Sequence, residues 1–565
     1  MPGMKWRAVC ALLVALTACT PDSGDTPPPS QRAGPPGGRV KSDCAAVERL
    51  VGRVRRGWYP RRSPELSFVA RRPHFVGIAG MPPHTGPWDF LGDVPLVVYG
   101  PGFIEPRGEV AKPARMVDLA PTTAELIRFK EWPNRPGRVL KEVLSPTASP
   151  PRLVVTLVWD GAGVNALEAH PQSVGYLRKL GTAGASYSNM SLGSTPSNTP
   201  PIHAVIGTGV YPREHGVVSV KQRAGAGDFI DPWLADDPSL LEVPTLADLY
   251  DEARGNEPEI GLLATVNWHL GMVGHGSSHP GGDQDLAVLL DSSGFIKGNS
   301  SLYELPPVNE ASLLEEHTRD LDAADGRADG HWLDHPLDDL SVRASSPAYT
   351  AFQNEVLSDL IREHGFGADE VPDLLYVNFK QPDAAGHRWG PDSPEVGRVL
   401  RAQDRALRAL VRTLDATVGR RSWVLMVTAD HGMMPYPQDS GGLPIGGKRL
   451  AADLNARFSG GRAGDLVERV MAHGVYVNRS ELKANRVTLH QMATWLSRYT
   501  IKQNLDGRDP PRYLRGRSHE LLFDAIRRTG QTSRHELRGR RFMKATPTGA
   551  CSPRAWLPPA ARTAE

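Results

Sequence analysis

Residues 153–159 read LVVTLVW, a continuous apolar run rich in β-branched side chains that ends at Asp160. Two later runs have the same character: LLYVNF at 374–379 and WVLMVT at 423–428. Strands that are apolar on both faces are typical of parallel sheets buried between helices. The pattern therefore predicts an α/β fold, with a mostly parallel central sheet and helices on both faces. We expect a further strand at 260–265 and helices at 165–180, 199–208, 244–254, 349–363 and 392–418.

Each of the three strands is followed by residues that can bind metal. Asp160 follows the first directly, Asp383 and His387 lie shortly beyond the second, and Asp430 and His431 follow the third. An Asp after a strand is usually a turn or cap residue, but parallel strands end at a common edge where ligands bind. Carboxylates and imidazoles together suit zinc or a similar divalent ion. The three strand ends together therefore indicate a metal site.

Thr199 opens the stretch TPPIHAVIGTG and has two interpretations. A threonine followed by two prolines is a good helix N-cap, because proline is tolerated in the first turn. The same position also favours an incoming phosphate, through the free amides and the dipole of the helix. A hydroxyl coordinated to a metal loses its proton more easily and can attack phosphorus.

Four motifs resemble the alkaline phosphatase superfamily and, within it, the type I phosphodiesterase/nucleotide pyrophosphatase branch. They are WDGAG at 159–163, TPPIHAVIGTGVYPREHGV at 199–217, PDAAGHRWGP at 382–391 and TADHGMM at 428–434. The resemblance implies two divalent metal ions, expected to be zinc, with Thr199 as the nucleophile. It further implies the ligand sets, which are Asp160, Asp430, His431 and Thr199 for one ion, and Asp383, His387 and a further histidine for the other. His203 and His215 match positions that we interpret as structural.

The further histidine of such proteins comes late in the chain, before a buried strand. Here His519 and His535 have the wrong surroundings, whereas GMPPHTGPW at 80–88 followed by VPLVVYGPG at 94–102 reproduces the pattern early. We therefore interpret the chain as circularly permuted, with His84 as the sixth protein ligand. The alternative is a loop histidine in an accessory domain. The permutation divides the chain into a closing segment at 44–144, a linker at 145–151 and a main body at 152–550, in which about 221–345 forms a cap or loop insert.

The resemblance implies hydrolysis of a small or nucleotide-like phosphate ester, with phosphodiesterase chemistry and a phospho-threonine intermediate. Phosphomonoester, phosphonate or sulfate-ester hydrolysis is the alternative, and a non-catalytic metal-binding surface lipoprotein is a more distant one. Two departures leave the substrate open: Val217-Val218-Ser219-Val220 lacks an asparagine of nucleotide pyrophosphatases, and 266–285 lacks a Lys-x-Arg pair of some phosphomonoesterases. In that second stretch His275, His279 and Asp283 could contact substrate, bind another ion or only decorate a loop.

The N-terminus has the pattern of an export signal. Residues 1–18 combine Lys5 and Arg7 with an apolar run too short to span a bilayer, and LTAC at 16–19 resembles the lipobox of bacterial lipoproteins. We expect Cys19 to be lipidated and 19–43, rich in proline and glycine, to tether the protein to the outer side of the cell membrane. The alternative is an ordinary cleaved signal with a chance cysteine. No later segment resembles a membrane span, so the lipid is the expected membrane contact.

Cysteine usage and charge add two expectations. Besides Cys10 in the signal and Cys19, the chain has only Cys44 and Cys551, and in an oxidising compartment we expect these two to form a disulfide. Residues 551–565, after the main body, are expected to form a C-terminal tail. With 65 basic and 63 acidic residues the net charge is only +2. No run of lysine and arginine is dense enough to indicate nucleic-acid binding, so we do not expect it.

Overall fold

A nine-stranded sheet lies at the centre of the fold. The structure is a computed structural model that describes residues 44–78, 80–146, 149–225, 228–306, 311–460 and 464–528, all within the unit Cys44–Arg540. The signal, Cys19, the tether, Cys551 and the tail lie outside the described residues, so those expectations stay predictions.

The strands vary from two to seven residues in length. They are β1 Leu66–Ala70, β2 Phe75–Val76, β3 Asp93–Tyr99, β4 Gly108–Glu109, β5 Leu153–Trp159, β6 Ala185–Ser191, β7 Gln222–Ala224, β8 Asp228–Ile230, β9 Ile260–Ala264, β10 Leu286–Leu290, β11 Ile296–Lys297, β12 His331–Trp332, β13 His335–Pro336, β14 Asp373–Phe379, β15 Trp423–Thr428, β16 Pro444–Ile445, β17 Val467–Met471, β18 Gly474–Val477 and β19 Phe523–Arg528.

The central sheet has the order β11-β10-β9-β14-β5-β15-β3-β6-β4. Its inner five strands, from β10 to β15, are parallel, and β5, β14 and β15 are buried along their whole length. β3 runs antiparallel to both of its neighbours, β15 and β6. The predicted α/β class and mostly parallel sheet are therefore confirmed.

Two groups of helices pack on this sheet, one around α13 and one around α6. The helices are α1 Cys44–Arg56, α2 Asp89–Gly92, α3 Leu119–Leu126, α4 Val164–Ala169, α5 Gly175–Ala183, α6 Thr199–Thr208, α7 Pro212–His215, α8 Leu246–Arg254, α9 Ala311–Ala323, α10 Leu340–Ala344, α11 Pro347–Glu363, α12 Gln381–Trp389, α13 Pro394–Leu414, α14 Pro437–Ser440, α15 Gly447–Phe458, α16 Arg479–Ala484, α17 Leu489–Leu496 and α18 Ile501–Leu505. Among the described residues, no helix is both long and apolar enough to cross a membrane.

Two expectations from the sequence need correction. The single helix expected at 165–180 is two helices, α4 and α5, because Pro171 cannot continue a helix. The segment 221–345 is not only a cap or loops, since its apolar runs IGLLA and LAVLL form β9 and β10 of the central sheet. The strand expected at 260–265 is β9, whereas β10 was not predicted, because Gly- and Asp-rich stretches flank its short apolar run.

The segment before residue 145 contributes one strand to the central sheet and another to a second sheet. β3 lies inside the central sheet, with Val97 opposite Val427 and Leu96 opposite Thr428 of β15. β1 lies in a second, antiparallel sheet of order β17-β18-β1-β19, built otherwise from the end of the described chain. This arrangement is the one that a permuted closing segment requires, although the permutation itself remains our interpretation.

Candidate metal centre and nucleophile

Thr199 is the first residue of α6 and is almost completely buried. Asn198, with extended backbone angles of φ −118° and ψ 154°, holds the N-cap position. The N-cap interpretation of Thr199 is therefore wrong, because the extended residue that begins the helix is the preceding one. Its hydroxyl instead accepts a hydrogen bond of 3.0 Å from Lys380 Nζ.

The first candidate metal group lies beside this hydroxyl. Donor atoms of Asp160, Asp383 and His431 lie within 4.8 Å of one another, and all three residues are buried. His431 Nε2 lies 3.5 Å from Asp160 Oδ1 and 3.1 Å from Asp430 Oδ2. The structure thus brings together the side chains expected to hold the first ion.

The second candidate group contains His84, Asp383 and His387, whose donor atoms also lie within 4.8 Å of one another. Asp383 Oδ1 lies 3.6 Å from His84 Nε2 and 3.4 Å from His387 Nε2. The ring of His84 stacks on that of His431, with centroids 3.4 Å apart and an interplanar angle of 8°. The two groups therefore adjoin, and Asp383 belongs to both.

Main-chain carbonyls orient the rings of all three candidate histidines. A carbonyl oxygen can only accept, so a contact at Nδ1 places the proton on Nδ1 and leaves the Nε2 lone pair free. This outer hydrogen bond is typical of metal-binding histidines. The Nδ1–carbonyl distances are 2.6 Å from His84 to Ser197, 3.1 Å from His387 to Pro82 and 3.2 Å from His431 to Gly432.

Three buried atoms of these groups have no hydrogen-bond partner: Asp383 Oδ1, Asp430 Oδ2 and His431 Nε2. Buried polar atoms are normally paired, so unpaired ones require an explanation such as a bound ion. Mixed imidazole and carboxylate donors fit zinc, which binds both. The donor set therefore fits a divalent metal, and the two adjoining groups, Asp160 with Asp383 and His431 and His84 with Asp383 and His387, are the candidate ligands.

Lys380 is a site residue that the sequence analysis missed. Its Nζ lies 2.8 Å from Asp160 Oδ1, 2.7 Å from Asp383 Oδ2 and 3.0 Å from Thr199 Oγ1. Burial opposes the charge, but the nearby carboxylates, Asp160 first, raise the pKa of Lys380 above its usual value, so the ammonium is retained. The available signal was its position, directly after β14 and three residues before Asp383.

The protein environment favours the metal-binding protonation state at Asp160 and His84, whereas at His431 the neighbouring carboxylates, Asp430 first, outweigh burial and raise the pKa of the ring. Burial opposes ionisation of Asp160, but the Lys380 ammonium outweighs it and the pKa of Asp160 lies well below its usual range. Burial, reinforced by His431, lowers the pKa of His84 well below that of a free imidazole. An ionised carboxylate and a neutral imidazole are the forms that coordinate a metal.

His203 has both ring nitrogens engaged: Nδ1 lies 2.8 Å from Thr199 O, and Nε2 lies 2.9 Å from Asn378 Nδ2. This geometry agrees with a structural role. His269, which the sequence analysis did not single out, lies with its Nε2 3.3 Å from Asp160 Oδ2, the oxygen that also accepts from Asn378. His269 and Asn378 therefore orient Asp160 from the side opposite Lys380.

His215 is buried and accepts the amide of Val217 at Nδ1, at 3.2 Å. Burial lowers its pKa to about 3, so its ring is neutral. These observations agree with its structural interpretation.

The loop after β2 fixes the start of the nucleophile helix. Ser197 Oγ donates to the carbonyl of His84 at 2.6 Å, and Thr85 Oγ1 donates to Asn198 Oδ1 at 2.9 Å. Gly86 N donates to Ser197 Oγ at 3.1 Å. The early segment thus supplies His84 and also holds the two residues that precede Thr199.

The three polar residues whose role the sequence left open have partners on α8 or next to it. His275 Nδ1 lies 2.8 Å from Asp248 Oδ2, and His279 Nε2 lies 3.0 Å from Glu252 Oε2. Asp283 lies beside two other aspartates, Asp251 and Asp285.

The model of the family "Type I phosphodiesterase / nucleotide pyrophosphatase" matches residues 154–494. The chain belongs to this family, within the alkaline phosphatase superfamily. The match covers the strand ends that carry Asp160, Asp383 and Asp430, together with Thr199. His84 lies outside it.

Several relatives share parts of this chain. It is 26% identical over 270 residues to the alkaline phosphatase PhoD of Zymomonas mobilis, covering 43% of this chain and 46% of that protein. It is 24% identical over 351 residues to the alkaline phosphatase PhoV of Synechococcus elongatus, covering 53% and 62%. The chain thus spans less than two thirds of the length of these relatives. Against the crystal structure of wild-type alkaline phosphatase PafA the TM-score is 0.48 at 17% identity, covering 62% of this chain and 77% of that one.

Proposed function

We propose that this protein is a metal-dependent hydrolase of phosphate esters, acting through Thr199 and two zinc ions. The observation that carries the proposal is the position of Thr199 Oγ1, 3.0 Å from Lys380 Nζ, which also contacts Asp160 and Asp383 of the two donor groups. Family membership supports the same chemistry. Three carboxylates against one ammonium give a site whose negative charge suits divalent cations.

In the mechanism that we propose, the Thr199 hydroxyl gives its proton to solvent, Oγ1 attacks phosphorus, the Oγ1–P bond forms, and the bond from phosphorus to the leaving ester oxygen breaks. The leaving oxygen takes a proton from solvent. In the second step a water oxygen bonds to phosphorus, the Oγ1–P bond breaks, the phosphoryl product leaves and a proton from the water restores the Thr199 hydroxyl. Bound zinc would supply Lewis-acid polarisation of the phosphoryl oxygens and a lower pKa for the hydroxyl.

The residues of this chain supply positioning and charge around that reaction. The Lys380 ammonium is placed to stabilise negative charge on Thr199 Oγ1, and its fixed position lowers the cost of reorganisation. Its contacts with Asp160 and Asp383 hold it in place. Asn378 and His269 fix the orientation of Asp160.

We propose a phosphodiester as the substrate class. The stretch 266–285 contains no lysine or arginine, so it offers no basic pair for the second negative charge of a phosphomonoester. A specific observation favours the alternative, phosphomonoester hydrolysis: Lys380 provides a cation at the site itself. The similarity to alkaline phosphatases points the same way.

The test compares hydrolysis of bis-p-nitrophenyl phosphate and p-nitrophenyl phosphate by the purified protein. We expect the diester to have the higher kcat/KM, activity to be lost with a chelator and activity to return with Zn²⁺. A higher kcat/KM for the monoester would select the alternative. Failure on both substrates after zinc loading would refute the proposal.

We also propose export and lipidation at Cys19, on the lipobox-like LTAC motif alone. Labelling cells with a fatty-acid analogue should mark the wild-type protein and leave Cys19→Ser unmarked. Equal labelling of both proteins would refute it.

A further inference from the structure

A group of carboxylates lies at the amino ends of the parallel strands, the edge of the sheet opposite the catalytic groups. Asp285 directly precedes β10, and Glu259 directly precedes β9. The catalytic carboxylates instead follow the carboxyl ends of β5, β14 and β15. A strand of five residues spans about 17 Å, so the two places are separate.

Three aspartates of this group converge. Carboxylate oxygens of Asp251 on α8, and of Asp283 and Asp285 in the loop before β10, lie within 4.8 Å of one another. Among the described residues none of the three forms an ion pair with lysine, arginine or histidine. The two imidazoles of this region are committed elsewhere, His275 to Asp248 and His279 to Glu252.

The side chain of Asp251 is the observation that points to a ligand. The residue is only 3% exposed, and its Oδ1 is buried with no hydrogen-bond partner. An unpaired buried carboxylate oxygen costs free energy unless a cation or a proton compensates it.

The surroundings increase this need for positive charge. Asp285 is also buried, and the carboxylate of Asp248 lies near it in addition to those of Asp251 and Asp283.

We propose that Asp251, Asp283 and Asp285 bind a structural Ca²⁺ ion. All three donors are carboxylates, the ligands of hard cations, in contrast to the mixed imidazole and carboxylate donors of the catalytic groups. Asp283 is exposed, which gives an ion access from solvent and leaves room for water ligands. Ca²⁺ is favoured over Mg²⁺ because it tolerates irregular geometry and several carboxylates.

The ion would join two elements that are separate in sequence. Asp251 lies in α8, and Asp283 and Asp285 lie in the loop that enters the edge region of the sheet at β10. An ion that binds the folded protein but not the unfolded chain would stabilise the folded state by mass action.

Calorimetric titration of the zinc-loaded, full-length protein with Ca²⁺ tests the proposal. We expect one equivalent of Ca²⁺ to bind, with an affinity at least ~10-fold lower in Asp283→Asn. Because Asp283 is exposed, this variant should fold normally, as far-UV circular dichroism can verify. The matched control is Glu257→Gln, an exposed carboxylate beyond α8 but outside the group, which should bind Ca²⁺ as the wild type does. Asp383→Asn, in the catalytic groups, should also keep this equivalent.

Absence of bound Ca²⁺ in the wild type would overturn the proposal and leave a shared proton as the compensation for Asp251. Unchanged affinity in Asp283→Asn would overturn it as well. Loss of the equivalent in Asp383→Asn would place the ion at the catalytic groups instead. Tighter binding of Mg²⁺ than of Ca²⁺ would overturn the choice of ion. None of these readouts depends on phosphoesterase activity.

Discussion

His84 Nε2 lies 3.6 Å from Asp383 Oδ1, and the ring is held in that place by its own hydrogen bond to the carbonyl of Ser197. A residue near the N-terminal end of the described chain thus lies in the same donor group as Asp383 and His387 of α12. The first prediction tests whether this proximity is functional.

We expect His84→Ala to lower the zinc content of the purified protein from two equivalents to one. A catalytic zinc usually has three protein ligands, and this variant leaves only Asp383 and His387. Activity should fall by ~100-fold or more, as a lost ligand removes charge stabilisation. The control is His519→Ala, an exposed late histidine, which should keep both ions. Loss of one zinc equivalent in His519→Ala, with both kept in His84→Ala, would refute the assignment of His84 as a ligand and the circular permutation.

Thr199→Ala should lower kcat by ~10³-fold or more, because it removes the attacking oxygen. Zinc content should change little, since the Asp and His donors remain. Thr199→Ser keeps a hydroxyl and should retain measurable turnover. Acid quenching during turnover, followed by mass spectrometry, should find phosphate on Thr199 in the wild type. Near-normal turnover by Thr199→Ala would exclude the mechanism.

Lys380→Met should lower kcat/KM by ~100-fold, since it removes a fixed cation beside Thr199 Oγ1. Lys380→Arg keeps the charge and should lose less. Zinc affinity of Lys380→Met should equal or exceed that of the wild type, because the ammonium no longer competes for Asp160 and Asp383. Lys502→Met, at an exposed lysine, is the matched control. Wild-type kinetics in Lys380→Met would show that the lysine has no part in the reaction.

Stability should fall as pH decreases from about 6.5 to about 4, in part because of His74. This side chain is fully buried and accepts the amide of Leu443 at 2.9 Å; burial and then Arg517 lower its pKa from 6.5 to about 4. Above the unfolded pKa the ring is neutral in both states, so the contribution is fully present there. Below it only the unfolded chain takes up the proton, which costs roughly 3 kcal/mol of stability by the time the folded pKa is reached.

Urea unfolding of wild type and His74→Asn near neutral pH and at about pH 5 measures this effect. The asparagine can still accept the Leu443 amide but does not titrate. The variant should lose about 2 kcal/mol less than the wild type over this interval. An equal loss in the two proteins would mean that His74 is not kept neutral in the fold.

The Cys44–Cys551 disulfide remains a prediction, since Cys551 lies outside the described residues. Peptide mapping of the exported protein without reductant should recover the two cysteines in one linked peptide. Free thiols at both positions would contradict it.

The sequence was sufficient to predict the central sheet and the ends of three strands, because β5, β14 and β15 are continuous apolar runs with metal-binding residues after them. It was not sufficient for Lys380, because a lysine after a strand is common and only the fold turns its side chain toward Asp160 and Asp383. The second sheet was also missed. Its strand β1 pairs with β19 across nearly the whole described chain, and local periodicity contains no information on such a pairing.

The position of β3 also affects how the protein can be made. Thr428 Oγ1 of β15 donates to the carbonyl of Pro95 in β3, across 333 residues. During folding β3 can pair with β6 within residues 93–191, but its other edge has no partner until β15 packs beside it. The donor group at His84 likewise cannot form before Asp383 and His387 are synthesised. A metal ion that binds this group, as we propose, would therefore enter only after the early segment has packed against the residues of α12.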